Sequence, residues 1–360
     1  MSMSWRDRGK KKSRESQSQT RRNRRFRFNR GKSTRNEFQD VFQNLLRSEL
    51  SSTAELSNAL DRLNTMTFPR RDVTQADCEK MILMFIRKIV PEDSEMLGSK
   101  LCTLVNTLCV KMHMVLSHRG IDSVLKYLLQ FGGRVSNSVF ATDALKALSS
   151  LLIENGDRCS EHVETIASRL QRFADTSSVN LNAKHAAILA LANLCAKSGT
   201  ALRECGKSKA LMDIFVRNFK VHAKVRPETS SEEDNDELIA KLIASILYGL
   251  EMVLSADPKL QQRIQNPSDM FDTLSVLVGY RYHRNETSCS RVRVHAVSLI
   301  RCLIRDKKSP FRQIVVQRLG TLIPSDEHEA LSSKPVRTSV LTLITHDSYS
   351  TVCVCVCVCV

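Results

Sequence analysis

Apolar residues recur along most of this chain at steps of three and four, the spacing of an amphipathic helix. The clearest case is residues 290–304, SRVRVHAVSLIRCLI, where Ala296, Val297, Ile300, Leu303 and Ile304 trace one face. Two other stretches align with residues 292–300 without a gap, residues 183–191 and 336–344. In each copy a small apolar residue precedes a base, Lys184, Arg293 or Arg337, and an apolar run starts three residues after that base. A helix with so wide an apolar face cannot bury it alone. It needs a neighbour of the same kind, which is the physical basis of repeat stacking.

Read in order, the pattern predicts helices almost throughout. Phe38, Val41, Phe42, Leu45, Leu46 and Leu50 make a stripe from residue 37 onward. Ser51 to Thr53 offer caps for a helix carrying Leu56, Leu60 and Leu63. Thr74 opens a helix over 75–90, with Asp77 and Glu79 near its positive end. Longer helices follow over 94–116 and 119–131. The helices then pair: 137–155 with 160–175, 182–197 with 207–221, 238–254 with 268–280, and 291–305 with 311–319. Residues 336–345 begin a further pair whose second helix is missing, so the array should end on an apolar edge. The first helices are rich in alanine, which lets neighbours approach closely. Their starts recur near the ~40–47 residues of HEAT or armadillo units. The excess in the third unit is an acidic insertion at 227–236, PETSSEEDND, read as a loop. The fold class is therefore all-α, a right-handed α-solenoid of HEAT/armadillo-type repeats.

Composition agrees. Aromatics are 5% of the chain, with 12 Gly and 8 Pro, so turns are few. The net charge of +16 is uneven: residues 1–36 hold 14 Lys/Arg against 2 Asp/Glu, or +12, leaving +4 for the rest. The chain thus divides into a basic arm at 1–36, expected to be disordered, a helical body at 37–350, and a tail at 351–360. The tail alternates Val and Cys, as a translated GT repeat would, and reads as a gene-model artefact. A strand is the competing reading. The arm carries Lys10, Lys11, Lys12, Arg21, Arg22, Arg24 and Arg25. Three readings stay open for it: a localisation signal taken by an importin, a nucleic-acid contact helped by Phe26 and Phe28, or a solvated tail. Gly31-Lys32-Ser33-Thr34 ends like a phosphate loop, but Phe26 stands where the loop needs its first glycine.

Candidate chemistry is sparse. Eight cysteines are scattered through the helical body without a CxxC, and four lie in the tail. Reduced cysteines and an intracellular location, nucleus and/or cytoplasm, are expected. No apolar run is read as approaching the roughly 18 residues of a membrane helix, and no membrane association is expected. Cys102, Cys109, His113 and His118 share a helical face, but structural zinc sites favour closer cysteine spacing, and a helical Cys is more often a core residue. No nucleophile signature occurs. The expectation is no metal, no cofactor and no enzymatic activity.

The residues 73–130 (with VTQADCEKMILMFIRKIVP), 142–159, 183–195 and 238–260, and then 290–344, occur in the order of the HEAT repeat-containing protein 6 family, whose N-terminal portion this chain resembles. That resemblance implies a helical HEAT-type solenoid without assigned catalytic residues, including a domain of unknown function at about 73–260. The basic arm departs from the family pattern, the family's long linker is nearly absent, and its later repeats are missing. The arm-then-repeats layout also resembles importin-alpha, a nuclear-transport adaptor. Asn193 has a place in that pattern, but Leu189 stands where its Trp would be, and the one Trp is Trp5.

The function expected is a protein-interaction scaffold with an unidentified protein partner. Two candidate surfaces follow. One is a basic ladder of Lys184, Arg293 and Arg337. The other is the set of bases on second helices: Arg169, Arg172, Arg217, Lys220, Arg312 and Arg318, with Gln313 beside them.

Overall fold

A computed structural model describes Val41 and residues 52–66, 74–89, 94–132, 139–175, 180–223, 233–280, 286–306, 308–322, 339–343 and 354–358. Val41 is helical and buried. The arm at 1–36 and the remainder of the helix expected from residue 37 lie outside the described residues. The body divides into two compact units, residues 1–120 and 121–360.

In the first unit, helix α1 spans Thr53–Thr65, α2 Gln75–Lys88 and α3 Glu95–Met112. Both α1 and α2 begin with a reciprocal capping box, Ser52 with Glu55 and Thr74 with Asp77. Each box satisfies two backbone donors that the helix cannot. Leu60, Leu63, Met81, Ile82, Phe85, Leu101 and Leu108 are fully buried. The Asn64 amide donates to the Lys100 carbonyl at 3.0 Å, and the Lys100 ammonium pairs with Asp61 at 2.5 Å, tying α1 to α3.

The helix expected over 94–116 stops at Met112. His113 ends it in the left-handed conformation, φ 49°, and residues 113–117 continue as a loop. Side chains of α2 hold that loop. The Gln75 amide donates to the Met112 and His113 carbonyls, and its oxygen accepts from the Val115 N–H at 3.0 Å. Glu79 accepts from the Ser117 N–H at 2.8 Å and from its hydroxyl. The stripe Met114 to Leu116 reads as helix because both residues are buried, but tertiary hydrogen bonds and not helical ones satisfy this backbone.

Helix α4, His118–Gly132, precedes the pairs. They are α5 Val139–Asn155 with α6 Val163–Asp175, α7 Leu181–Glu204 with α8 Ser208–His222, α9 Glu233–Ala256 with α10 Pro267–Val278, and α11 Glu286–Ile304 with α12 Pro310–Leu322. Single 3₁₀ segments, Gly156–His162 and Pro258–Arg263, lead into α6 and α10. His162 meets Asp122 of α4 at 2.6 Å.

In the second unit the first helices α5, α7, α9 and α11 pack side by side as one closely spaced layer, while the second helices touch one another far less. Small residues explain the difference. Ala144, Ala147, Ala186, Ala187, Ala190, Ala192, Ala240 and Ala296 are buried in this layer. Gly249 on α9 lies so close to the Phe215 ring of α8 that a Cβ there would run into it. The aligned copies at 183–191 and 292–300 behave alike: Ala183 and Val292, Ala187 and Ala296, Ala190 and Leu299, and Leu191 and Ile300 are all buried.

Three expectations are corrected. Residues 233–236 of the acidic insertion are the first turn of α9 and not loop, a place where carboxylates suit the helix dipole. Second, the stretch Asp236–Ala256 is long and apolar enough to cross a membrane. Here it is the central helix of the layer, covered by α7, α8 and α11. Third, residues 339–343, the described part of the helix expected over 336–345, are not helical. Ser339–Leu343 is strand β1, antiparallel to strand β2, Val354–Val358 in the Val-Cys tail, with Leu341 opposite Val356. A short apolar run rich in β-branched residues fits either period, and an alternating partner decides it. Strand β2 lies beside α11.

Candidate functional site

The bases singled out from sequence are distributed over both layers. On α6, Arg169 and Arg172 are exposed; on α8, Arg217 and Lys220 are exposed. Arg217 pairs with Asp175 at the end of α6 at 2.7 Å, and Lys207 pairs with Glu164 of α6 at 3.2 Å. These two contacts join consecutive second helices. Arg312 is half-buried on α12, with Gln313 exposed. The Arg318 side chain, Arg337 and the seven bases of the arm lie outside the described residues.

Lys184 and Arg293 stand on α7 and α11, with α9 between them. Each is turned toward the end of a second helix. Burial, and then the charge of Lys184, holds the imidazole of His222, at the C-terminus of α8, below its ordinary pKa. Arg293 donates to the Tyr280 carbonyl just beyond α10 at 3.1 Å and pairs with Glu286. A cation at a helix C-terminus meets unpaired carbonyls and the negative end of the dipole.

Polar side chains stitch the first-helix layer together. Asn193 on α7 donates to the carbonyl and hydroxyl of Ser149 on α5. Asn193 has a place in the importin-alpha pattern although Leu189 stands where the Trp would be, but its amide is buried and used between helices. Ser198 interrupts α7 with φ −120° and ψ 28°, and its hydroxyl donates to the Gly156 carbonyl at 2.7 Å. Between α9 and α11, Glu251 accepts from the Ser298 hydroxyl and faces His295 at 3.7 Å, with the Tyr248 ring 5.2 Å from the imidazole. Burial pushes the Glu251 carboxyl up, but the bonds from His295 and Ser298 and the nearby cations outweigh it and leave the group below its ordinary value. Sequence reasoning missed this cluster. The signal was there: Glu251 is the only acid between Leu238 and Ala256, and an acid in a buried apolar helix needs partners.

A second cluster lies toward the start of the layer. His185 on α7 is half-buried between Lys241 of α9 and Lys146 of α5. Burial, then these two ammonium groups, hold its pKa at about 4. Lys241 pairs with Glu237 at 2.7 Å and Lys146 with Asp143 at 3.8 Å, each on its own helix.

None of these arrangements assembles a nucleophile. Ser298 donates to a carboxylate and not to an imidazole. Burial pushes the thiols of Cys78 and Cys159 up to about 11, and that of Cys195 higher still, which keeps them protonated and poor nucleophiles. Cys102 and Cys109 point into the core while His113 and His118 are exposed, so the four do not converge. Among the described residues, no group of three His, Cys, Asp or Glu is placed to hold a metal ion.

No known family profile matches the chain. Among solved structures it is similar to importin beta, a HEAT-repeat solenoid, at 11% identity and a TM-score of 0.50, over 82% of this chain and 43% of that one. It is also similar to two engineered proteins from structural genomics, each at 11% identity. Their TM-scores are 0.43, over 72% of this chain and 97% of that one, and 0.41, over 71% and 98%. Helix pairs stacked through alanine-rich first helices, together with the likeness to importin beta, identify the fold as an all-α solenoid of the HEAT type.

Proposed function

We propose that this protein is a non-enzymatic protein-interaction scaffold, akin to the N-terminal portion of the HEAT repeat-containing protein 6 family. The observation that carries the reading is how the polar groups of the layer are used. Asn193, Ser198, Glu251 and Ser298 hold helices to one another, and the long outer faces of the helices are left for partners. Stacked repeats present such faces as extended docking surfaces. The segment order over 73–344 supports the family likeness.

The arm supports a second role in localisation. A charge of +12 in residues 1–36 suits an importin-read signal and a nuclear as well as cytoplasmic, membrane-free protein. Nuclear-transport adaptor or nucleic-acid-associated factor is the alternative function. Titration with single-stranded nucleic acid at two salt concentrations, with and without residues 1–36, separates these. Binding that vanishes with the arm makes it an electrostatic appendage, and binding by the body alone favours the alternative.

Proximity labelling of the full chain, followed by co-purification of the strongest hits, tests the scaffold. A stoichiometric protein partner is expected. Its absence from every preparation would refute the reading.

A further inference from the structure

Among the described residues six large apolar side chains are exposed, and two of them, Met96 at 59% and Val110 at 57%, belong to α3 of the first unit. Thr103, midway between them, is exposed as well. A step of seven residues falls about 20° short of two full turns, so the three lie along one line of the helix. That line runs about 21 Å from Met96 to Val110 at the helical rise. Leu101, Val105 and Leu108, on the opposite side of α3, are buried. Charge sets the exposed line apart. The exposed residues of α1 include Glu55, Asp61 and Arg62, and those of α2 include Lys80, Arg87 and Lys88. Over residues 96–110 the one charged residue of α3 is Lys100, which is half-buried and paired with Asp61 at 2.5 Å. Charge returns at the two ends, where Glu95 precedes Met96 and Lys111 follows Val110, both exposed.

This face reads alike in both directions from Thr103. Four residues out stand two hydroxyls, Ser99 and Thr107; seven out, the apolar Met96 and Val110; eight out, the opposite charges of Glu95 and Lys111. Two such helices laid antiparallel about a two-fold axis at Thr103 match position by position. Met96 of each copy meets Val110 of the other, and Glu95 of each meets Lys111 of the other. A parallel pairing would instead set Glu95 against Glu95 and Lys111 against Lys111. The residues nearest the axis, Ser99, Thr103 and Thr107, have short side chains, which suits helices packed about 8–10 Å apart.

We infer that the outer face of α3 is a self-association surface, and that its occupant is α3 of a second copy of this chain in antiparallel orientation. A two-fold interface uses the same patch on both copies, so the patch has to complement itself. An uncharged, apolar-ended line closed by an acid at one end and a base at the other does so. The end charges fix direction and register more than strength. One helix face covers less than the ~800 Å² per partner of a stable complex, so the dimer is reversible and its population follows concentration. The proposal goes beyond the scaffold reading and does not rest on it: that reading stands whether or not two copies associate.

Sedimentation velocity of the full chain over a concentration series tests this. A monomer–dimer equilibrium is expected within reach of about 100 μM. Thr103→Arg sets two guanidinium groups against each other on the axis and should abolish the dimer. Glu95→Lys or Lys111→Glu turns two attractive pairs into repulsive ones, and each should weaken association about tenfold. The double variant Glu95→Lys with Lys111→Glu restores opposite charges across the axis and should dimerise as the parent chain does. A 1:1 mixture of the two single variants should recover in the same way, through the mixed dimer. Each swap also opposes the dipole of α3 at its own end, and the double variant carries both costs. Recovery in the double variant therefore comes from across the interface and not from the helix. Circular dichroism checks that every variant keeps its helix content. A chain that stays monomeric up to about 100 μM overturns the proposal. A dimer that survives Thr103→Arg also overturns it, because association then lies elsewhere, and so does a double variant no better than the single ones.

Discussion

The side-chain amide of Asn193 on α7 donates to both the carbonyl and the hydroxyl oxygen of Ser149 on α5, each at 3.0 Å. Both residues are buried. Asn193→Ala removes two buried hydrogen bonds between α7 and α5, which costs about 1–3 kcal/mol. Urea unfolding should show a lower midpoint with an unchanged slope. Ser149→Ala keeps the carbonyl bond and should cost less.

The contact between Gly249 and Phe215 predicts a different kind of failure. Gly249→Ala sets a methyl against the ring, and overpacking of this sort costs about 1–3 kcal/mol even though alanine is the better helix former. Adding Phe215→Leu makes room. The double variant should be less destabilised than the sum of the two single variants, and a double-mutant cycle measures that coupling.

These contacts also mark what could be read from sequence. The three-and-four spacing located nearly every helix, because a buried stripe must repeat at the helical period. The copies at 183–191 and 292–300 bury the same positions for the same reason. Helix ends set by distant partners were not legible. Gln75 and Glu79 hold residues 113–117 from about forty positions away, and nothing local to Met112 announces that. Residues 339–343 failed because five apolar and hydroxyl residues fit both periods. For the site, composition drew attention to exposed bases. Arg217 and Arg293 turned out to serve intramolecular pairs. The His185 cluster depends on which residues of three separate helices share a level, and no spacing within one helix reports it.

Glu79 gives a local prediction within the first unit. Glu79→Ala removes the acceptor for the Ser117 N–H and hydroxyl. Amide hydrogen exchange at Val115 and Ser117 should accelerate, while exchange in the middle of α2 and α3 stays slow. Uniform acceleration across the unit would contradict a role confined to the loop.

Acid should weaken the fold in two separable steps. His185 has a folded pKa of about 4 against an ordinary 6.5, because of burial and the flanking Lys241 and Lys146, whose charges are partly offset by Glu237 and Asp143. Its depressed value means that the unfolded chain takes up a proton first as pH falls. The stability tied to neutral His185 is therefore complete above pH 6.5 and is lost progressively down to pH 4. That amounts to about 2 kcal/mol between pH 7 and 5. Glu251 is a carboxylate held below its ordinary 4.5. Its contribution is present above 4.5 and is lost only as pH falls through its lower folded value. His185→Gln should make the stability profile shallower between pH 7 and 5, where His222, also held below its ordinary value by burial and Lys184, still contributes, and should leave the slope below 4.5. Glu251→Gln should do the reverse. Urea midpoints across this range measure both. If the two variants flatten the same window, the assignment of these steps to separate seams of the layer, α5–α7–α9 for His185 and α9–α11 for Glu251, is wrong.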